Sequence, residues 1–217
     1  MSQKFSTKQI VCLAGMVVLI GVGGFMATHV SRPDATTQAS PSSNSKQSSA
    51  APAKAEAAEP QGSHVTISFP FDRIGKKGSD QFAIWVEDSQ GNLIRTVVVT
   101  KYTATKGAAK DPNCLPTWSS KSGIRSNPGK IDVATGATPA SGTVHYYWDL
   151  TDQQGTPVKP GTYKIMVEAT QNNTEQLLSS ADVAIGGKDF SVTVSPKLNG
   201  AAPQKSIVGN VTITYKP

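Results

Sequence analysis

From Ser31 to Gly62 the chain contains no Val, Ile, Leu, Met, Phe, Tyr or Trp. A segment that cannot bury apolar surface cannot offset the entropy of ordering its backbone, so residues 31–62 read as a disordered linker. Ser, Ala, Pro, Gln and Thr fill 24 of its 32 positions. A flexible coil of that length has a root-mean-square span of roughly 30 Å. Any large core is thereby confined to residues 63–217, a stretch of 155 residues that suits one domain of ordinary size.

Ahead of the linker stands a different kind of segment. Lys4 and Lys8 lie in an acid-free flank, and Ile10 to Ala27 follow without a charge. About 18 to 20 apolar residues span a hydrocarbon core, whereas a cleavable signal has a shorter apolar region and an A-x-A-like site. The positions around Gly21 to Ala27 match such a site poorly. Residues 1–30 are therefore expected to be an N-terminal membrane anchor, with a cleaved signal sequence as the alternative. Positive flanks stay cytoplasmic, which puts everything after Val30 on the outer side of the cytoplasmic membrane, in the periplasm. Cys12 reads as a buried apolar thiol of this segment, because the small-residue context of a lipoprotein site is missing.

Beyond Ser63 the pattern is one of short β-rich runs bounded by Gly, Pro, Asn and Asp. Strands are predicted at residues 64–69, 81–87, 93–101, 143–149, 163–170, 177–185, 190–194 and 207–215, and eight such runs indicate an all-β antiparallel sandwich. Ser89-Gln90-Gly91-Asn92 carries hairpin-turn chemistry, and Asp152 to Gly155 and Pro160-Gly161 mark two further turns. Trp148 and Tyr163 fall at strand positions where aromatic bodies fill sandwich cores. Residues 102–139 break the pattern with a long Lys-, Gly-, Pro- and Asn-rich insertion, largely irregular apart from a short helix near 115–120. Long insertions of this kind often carry function.

Catalytic parts are few. His64 and His145 are far apart in sequence, without metal-ligand spacing, and read as surface or edge residues. Cys114 has no partner cysteine in the domain and nothing beside it that lowers its pKa. No zinc, haem, zincin or P-loop motif occurs. From Ser63 onward sixteen Lys and Arg stand against twelve Asp and Glu. Such a modest excess outside the cytoplasm gives no reason to expect a nucleic-acid partner.

The most informative loop is Asp132-Val133-Ala134-Thr135-Gly136-Ala137-Thr138, followed by Pro139. Gly136 and Ala137 leave the backbone uncrowded, Thr135 and Thr138 present hydroxyls, and Pro139 cannot donate to a ladder. An accessible hydroxyl between strands is the expectation, and a plain turn is its competitor.

This D-x-x-T-G-A-T segment resembles the pattern at which FMN-carrying subunits of sodium-pumping NADH:quinone reductase are modified by FAD:protein FMN transferase. Asp132, Thr135, Gly136, Ala137 and Thr138 match each defined position. The resemblance implies covalent FMN on Thr138 through a phosphoester, with AMP leaving from FAD, and implies that the other four residues are read by the transferase. A wider likeness spans Phe82–Val99, the Trp118 region, the D-V-A-T-G-A-T segment and Tyr147–Ala169. These stretches resemble, in order, the family of predicted periplasmic proteins called domain of unknown function 2271. That family commonly has Arg-Pro-Pro-Gly after its G-A-T, where this chain has Pro139-Ala140-Ser141-Gly142. The later stretch is also similar to the immunoglobulin-like domain of the flagellar hook-capping protein, which implies an immunoglobulin-like sandwich.

These resemblances imply an anchored periplasmic flavoprotein that relays electrons between a PepSY-type membrane reductase and an exported acceptor. It would be a substrate of the transferase and a carrier, not an enzyme. Trp85, Trp118, Tyr146 and Tyr147 are candidate flavin-stacking neighbours, with core packing the competing role for Trp85. The alternative is an immunoglobulin-like binding or assembly module without cofactor.

Overall fold

The fold is taken from a computed structural model, which describes residues 58–74, 80–128, 135–199 and 206–217. The expected anchor or signal sequence, most of the expected linker and Asp132 lie outside these residues. Among the described residues no helix is long and apolar enough to cross a membrane.

Period-two alternation shapes the first strand, β1 (His64–Phe71), which buries Val65, Ile67, Phe69 and Phe71 on one face. Nine further strands follow among the described residues: β2 (Asp80–Glu87), β3 (Leu93–Thr100), β4 (Thr135–Gly136), β5 (Gly142–Trp148), β6 (Gly161–Gln171), β7 (Glu175–Ile185), β8 (Phe190–Val194), β9 (Lys197–Asn199) and β10 (Val211–Lys216). They form two sheets, ordered β5-β1-β10-β8 and β4-β3-β2-β6-β7-β9. All eight expected strands are present, although the last starts at Val211, four residues later than expected. The purely antiparallel expectation needs one correction. β4 pairs parallel to β3, because the chain reaches that edge after a long crossover and not through a hairpin.

The main core fills the space between the sheets. Ile67, Phe69, Phe82, Ile84, Trp148, Ile165 and Ile213 are all buried there, each worth about 1.5–3 kcal/mol when fully removed from water. Trp148 packs edge-on against Tyr163 at 5.5 Å between ring centres and donates its indole N–H to the Thr151 carbonyl at 2.8 Å. Tyr163 is only half-buried, contrary to expectation, because its hydroxyl reaches out to the Lys159 carbonyl at 2.9 Å.

A second core explains why every residue of β2 is buried. Ala83, Trp85, Val99 and Met166 on the outer face of the six-stranded sheet are covered by Leu115, Trp118 and Ile124. These last three come from the insertion expected to be largely irregular. It contains a π-helical turn (Thr103–Gly107) running into α1 (Ala108–Lys110), and then α2 (Pro116–Ser122). Sheet faces left uncovered by strands must be covered by something else, and local sequence does not reveal what. The close fit is visible at Gly107, where an added Cβ would lie 2.6 Å from Cys114 Sγ.

α2 starts without a side-chain cap of its own, behind Leu115 at φ 46° and with Pro116 in its first turn. Its open N–H groups are met from across the sheet. Glu168 of β6 accepts from the backbone N–H of Trp118 at 2.7 Å and of Thr117 at 3.0 Å.

Candidate functional site

The end of β3 positions the candidate loop. Val99 pairs with Thr135, and Thr100 with Gly136. A Cβ at Gly136 would meet Val98 Cγ2 at 3.5 Å, an ordinary contact, so packing here does not demand glycine. Pro139 cannot continue the ladder. The chain then crosses from the edge of the six-stranded sheet to the edge of the other, where Gly142 pairs with Phe71. The Arg73 backbone N–H fastens this crossover by donating to Ser141 Oγ at 2.8 Å.

The structure thus brings Thr135, Gly136, Ala137 and Thr138 together on one sheet edge. Thr135 and Ala137 are exposed, while Gly136 and Thr138 are half-buried. Among the described residues none hydrogen-bonds the Thr138 hydroxyl. Asp132, the fifth expected site residue, is outside the described residues.

The expected aromatic neighbours do not converge on this edge. Trp85 and Trp118 are fully buried in the second core, where Trp85 donates to Glu87 Oε1 at 2.8 Å and Trp118 to Thr96 Oγ1 at 3.1 Å. Tyr146 packs against Phe69 and Phe82. Tyr147 meets His64 edge-on at 5.9 Å. The first three are therefore corrected to packing roles, because indole and phenol rings in a sandwich contribute most when buried.

Other polar groups have structural assignments. His64 is buried, not at the surface as expected; its Nδ1–H donates to the Gly62 carbonyl at 2.7 Å and Nε2 lies 3.2 Å from Glu59 Oε1. Glu59 is held below the usual carboxylate range by its hydrogen bond with Lys216. Burial pushes the Cys114 thiol up, with Thr103 Oγ1 at 3.4 Å opposing the shift, so the thiolate is disfavoured. Glu168 was missed by sequence reasoning. Burial raises its carboxyl above the usual range, although the N–H groups of Trp118 and Thr117 favour its charge. A lone acid inside the apolar run Ile165-Met166-Val167-Glu168-Ala169 was the available signal.

A groove of about 630 Å³ lies on the outer face of the four-stranded sheet, with Thr66, Ser68, His145, Tyr147 and Lys216 in its wall; residues 135–138 do not line it. Among the described residues no group of three or more His, Cys, Asp or Glu could hold a metal ion.

A family model described as "Predicted periplasmic protein (DUF2271)" matches residues 62–199. The chain belongs to the DUF2271 family. The match runs from the start of β1 to the end of β9, and so includes the candidate loop. β10, which lies between β1 and β8, comes from beyond the matched segment. As a DUF2271 member the folded part is a periplasmic domain. Searches of curated proteins and of solved structures found no match.

Proposed function

We propose that this DUF2271 protein is a membrane-anchored periplasmic carrier that holds FMN covalently on Thr138 and relays electrons between a membrane reductase and an exported acceptor. The observation that carries this reading is the presentation of Thr138. It is the final residue of a complete D-x-x-T-G-A-T segment, and it sits where the chain leaves one sheet edge for the other. A β-sandwich is a suitable scaffold, since strands hold both ends of the loop.

The residues present fit attachment of the group. Thr138 is half-buried, its neighbours Thr135 and Ala137 are exposed, and no described residue occupies its hydroxyl. In the transfer, Thr138 Oγ1 forms a bond to the FMN phosphorus of FAD, the phosphoanhydride bond to AMP breaks, and the hydroxyl proton leaves to solvent. Asp132, Thr135, Gly136 and Ala137 form the stretch read by FAD:protein FMN transferase. Bound FMN supplies hydride and single-electron chemistry. The chain's own contribution is to tether that chemistry and keep it at an accessible edge, beside the exposed Thr135 and Ala137. A PepSY-type membrane protein suits the role of electron donor.

Intact mass after co-expression with the transferase tests the reading. The parent is expected to gain the mass of FMN minus water, and Thr138→Ala to gain nothing. Thr135→Ala keeps the acceptor and alters only the read sequence, so partial modification is expected. An unmodified parent beside an active transferase would overturn the proposal.

A further inference from the structure

The segment after β3 carries a stripe of cations. From Lys101 to Lys110 exposure recurs in pairs, Lys101 with Tyr102, Thr105 with Lys106, and Ala109 with Lys110; Thr103, Gly107 and Ala108 are buried between them. The three lysines are spaced by five and four residues, which 3.6 residues per turn would spread around a helix. The wider π turn over Thr103–Gly107 keeps them on one side, and such turns are frequent at functional sites.

The stripe is firmly held. Thr105 Oγ1 donates to the Lys101 carbonyl at 2.8 Å, and Arg125 donates to the carbonyls of Ala108 at 3.2 Å and Pro112 at 2.5 Å. Its lysines also make no ion pair among the described residues. Lys121, Lys164 and Lys216 face Glu87, Asp182 and Glu59, whereas among the described residues Lys101, Lys106 and Lys110 face no carboxylate. Asp111, next in sequence, is engaged by the Asn113 backbone at 2.8 Å and the Asn173 amide at 2.7 Å.

Register places this stripe beside the candidate loop. Thr100, the residue before Lys101, is the ladder partner of Gly136, two residues before Thr138. We infer that Lys101, Lys106 and Lys110 form the docking surface for an acidic face of the protein that modifies Thr138. The inference rests on Thr138 being the flavin acceptor. A hydroxyl on a sheet edge offers a protein partner little cavity to enter, so orientation must come from the surrounding surface. Fixed cations of one sign speed encounter with an acidic partner and set its approach, and salt weakens both effects over a screening length of about 8 Å at physiological strength.

The test uses the full chain, purified transferase and FAD, with an independent D-x-x-T-G-A-T substrate to certify transferase activity. Modification rates are compared at low and physiological salt for the parent, a Lys101→Glu/Lys106→Glu/Lys110→Glu variant and the corresponding triple Gln variant. Unchanged melting temperatures establish that the variants fold. The parent rate is expected to fall with salt, and the charge reversal to lower the low-salt rate by about tenfold or more and flatten its salt dependence. The Gln variant is expected to lie between them. Equal low-salt rates for the parent and the reversal variant would overturn the docking surface while leaving Thr138 as acceptor. A parent that stays unmodified while the control substrate reacts would remove the acceptor, and the inference with it. Binding of the parent to phosphatidylglycerol vesicles that the reversal abolishes, with modification unchanged, would assign the stripe to lipid and overturn the inference as well.

Discussion

Single side chains in this protein carry long-range tasks, and Glu168 is the clearest case. It joins β6 to the first turn of α2 through two backbone N–H groups and also accepts from Gln176 Nε2 at 2.5 Å. Glu168→Ala leaves those donors buried without an acceptor, and a loss of about 2–4 kcal/mol in chemical denaturation is expected. Its raised carboxyl pKa has a definite sign. The folded state holds the proton more tightly than the unfolded chain, so this contribution is fully present below the ordinary value of 4.5 and is lost as pH rises through the folded value. Glu168→Gln cannot ionise, but it turns an N–H group toward a backbone donor. Its stability deficit relative to the parent should therefore be largest in acid and shrink as pH rises, a trend that paired denaturation curves can measure. At Gly107 the expectation is steric. Gly107→Ala would press a methyl onto Cys114 Sγ and the Tyr102 ring, 2.6 and 2.9 Å away, for a loss of about 1–3 kcal/mol.

Among the elements, the insertion between β3 and β4 differs most from its sequence expectation. A lysine- and glycine-rich composition suggests a mobile loop, yet Leu115, Trp118 and Ile124 are buried on the outer face of β2, β3 and β6. Trp118→Ala should cost about 3–5 kcal/mol, as should Trp148→Ala in the main core. A loss below about 1 kcal/mol for Trp118 would show that the insertion does not hold the sheet and would return the ring to consideration as a ligand neighbour. The strand content was easier to read. Val, Ile, Phe and Tyr alternate with other residues in β1 and β10, and the turns at Gly91 and Gly155 have the positive φ, both 81°, that their sequences call for. β4 and β9 were not anticipated, since two or three residues contain no full period from which to recognise a strand.

At the scale of the whole chain, a periplasmic domain behind an apolar N-terminal run makes a prediction about topology. The intact chain should remain with membranes after a salt wash, and protease added from outside the cytoplasmic membrane should release the domain by cutting between Ser31 and Gly62. Recovery of a soluble chain beginning after about residue 27 would instead establish cleavage by signal peptidase. The expected linker, as a flexible coil, would let the proposed flavin edge sweep roughly 30 Å.

Local chemistry was sufficient for everything that depends on neighbours in the chain. The alternation of β1 and β10, the turn residues at Gly91 and Gly155, the apolar run at Ile10–Ala27 and the D-x-x-T-G-A-T segment are all properties of adjacent residues. Only the tertiary structure decided which face each aromatic occupies. It buried Trp85 beneath an insertion, set Glu168 under a helix start 50 residues away in sequence, and paired Gly136 with Thr100 so that Lys101 stands beside the loop. These outcomes depend on which surfaces the two sheets leave uncovered once they have packed. That competition for burial is settled between segments distant in sequence, and so has no signature in any one of them.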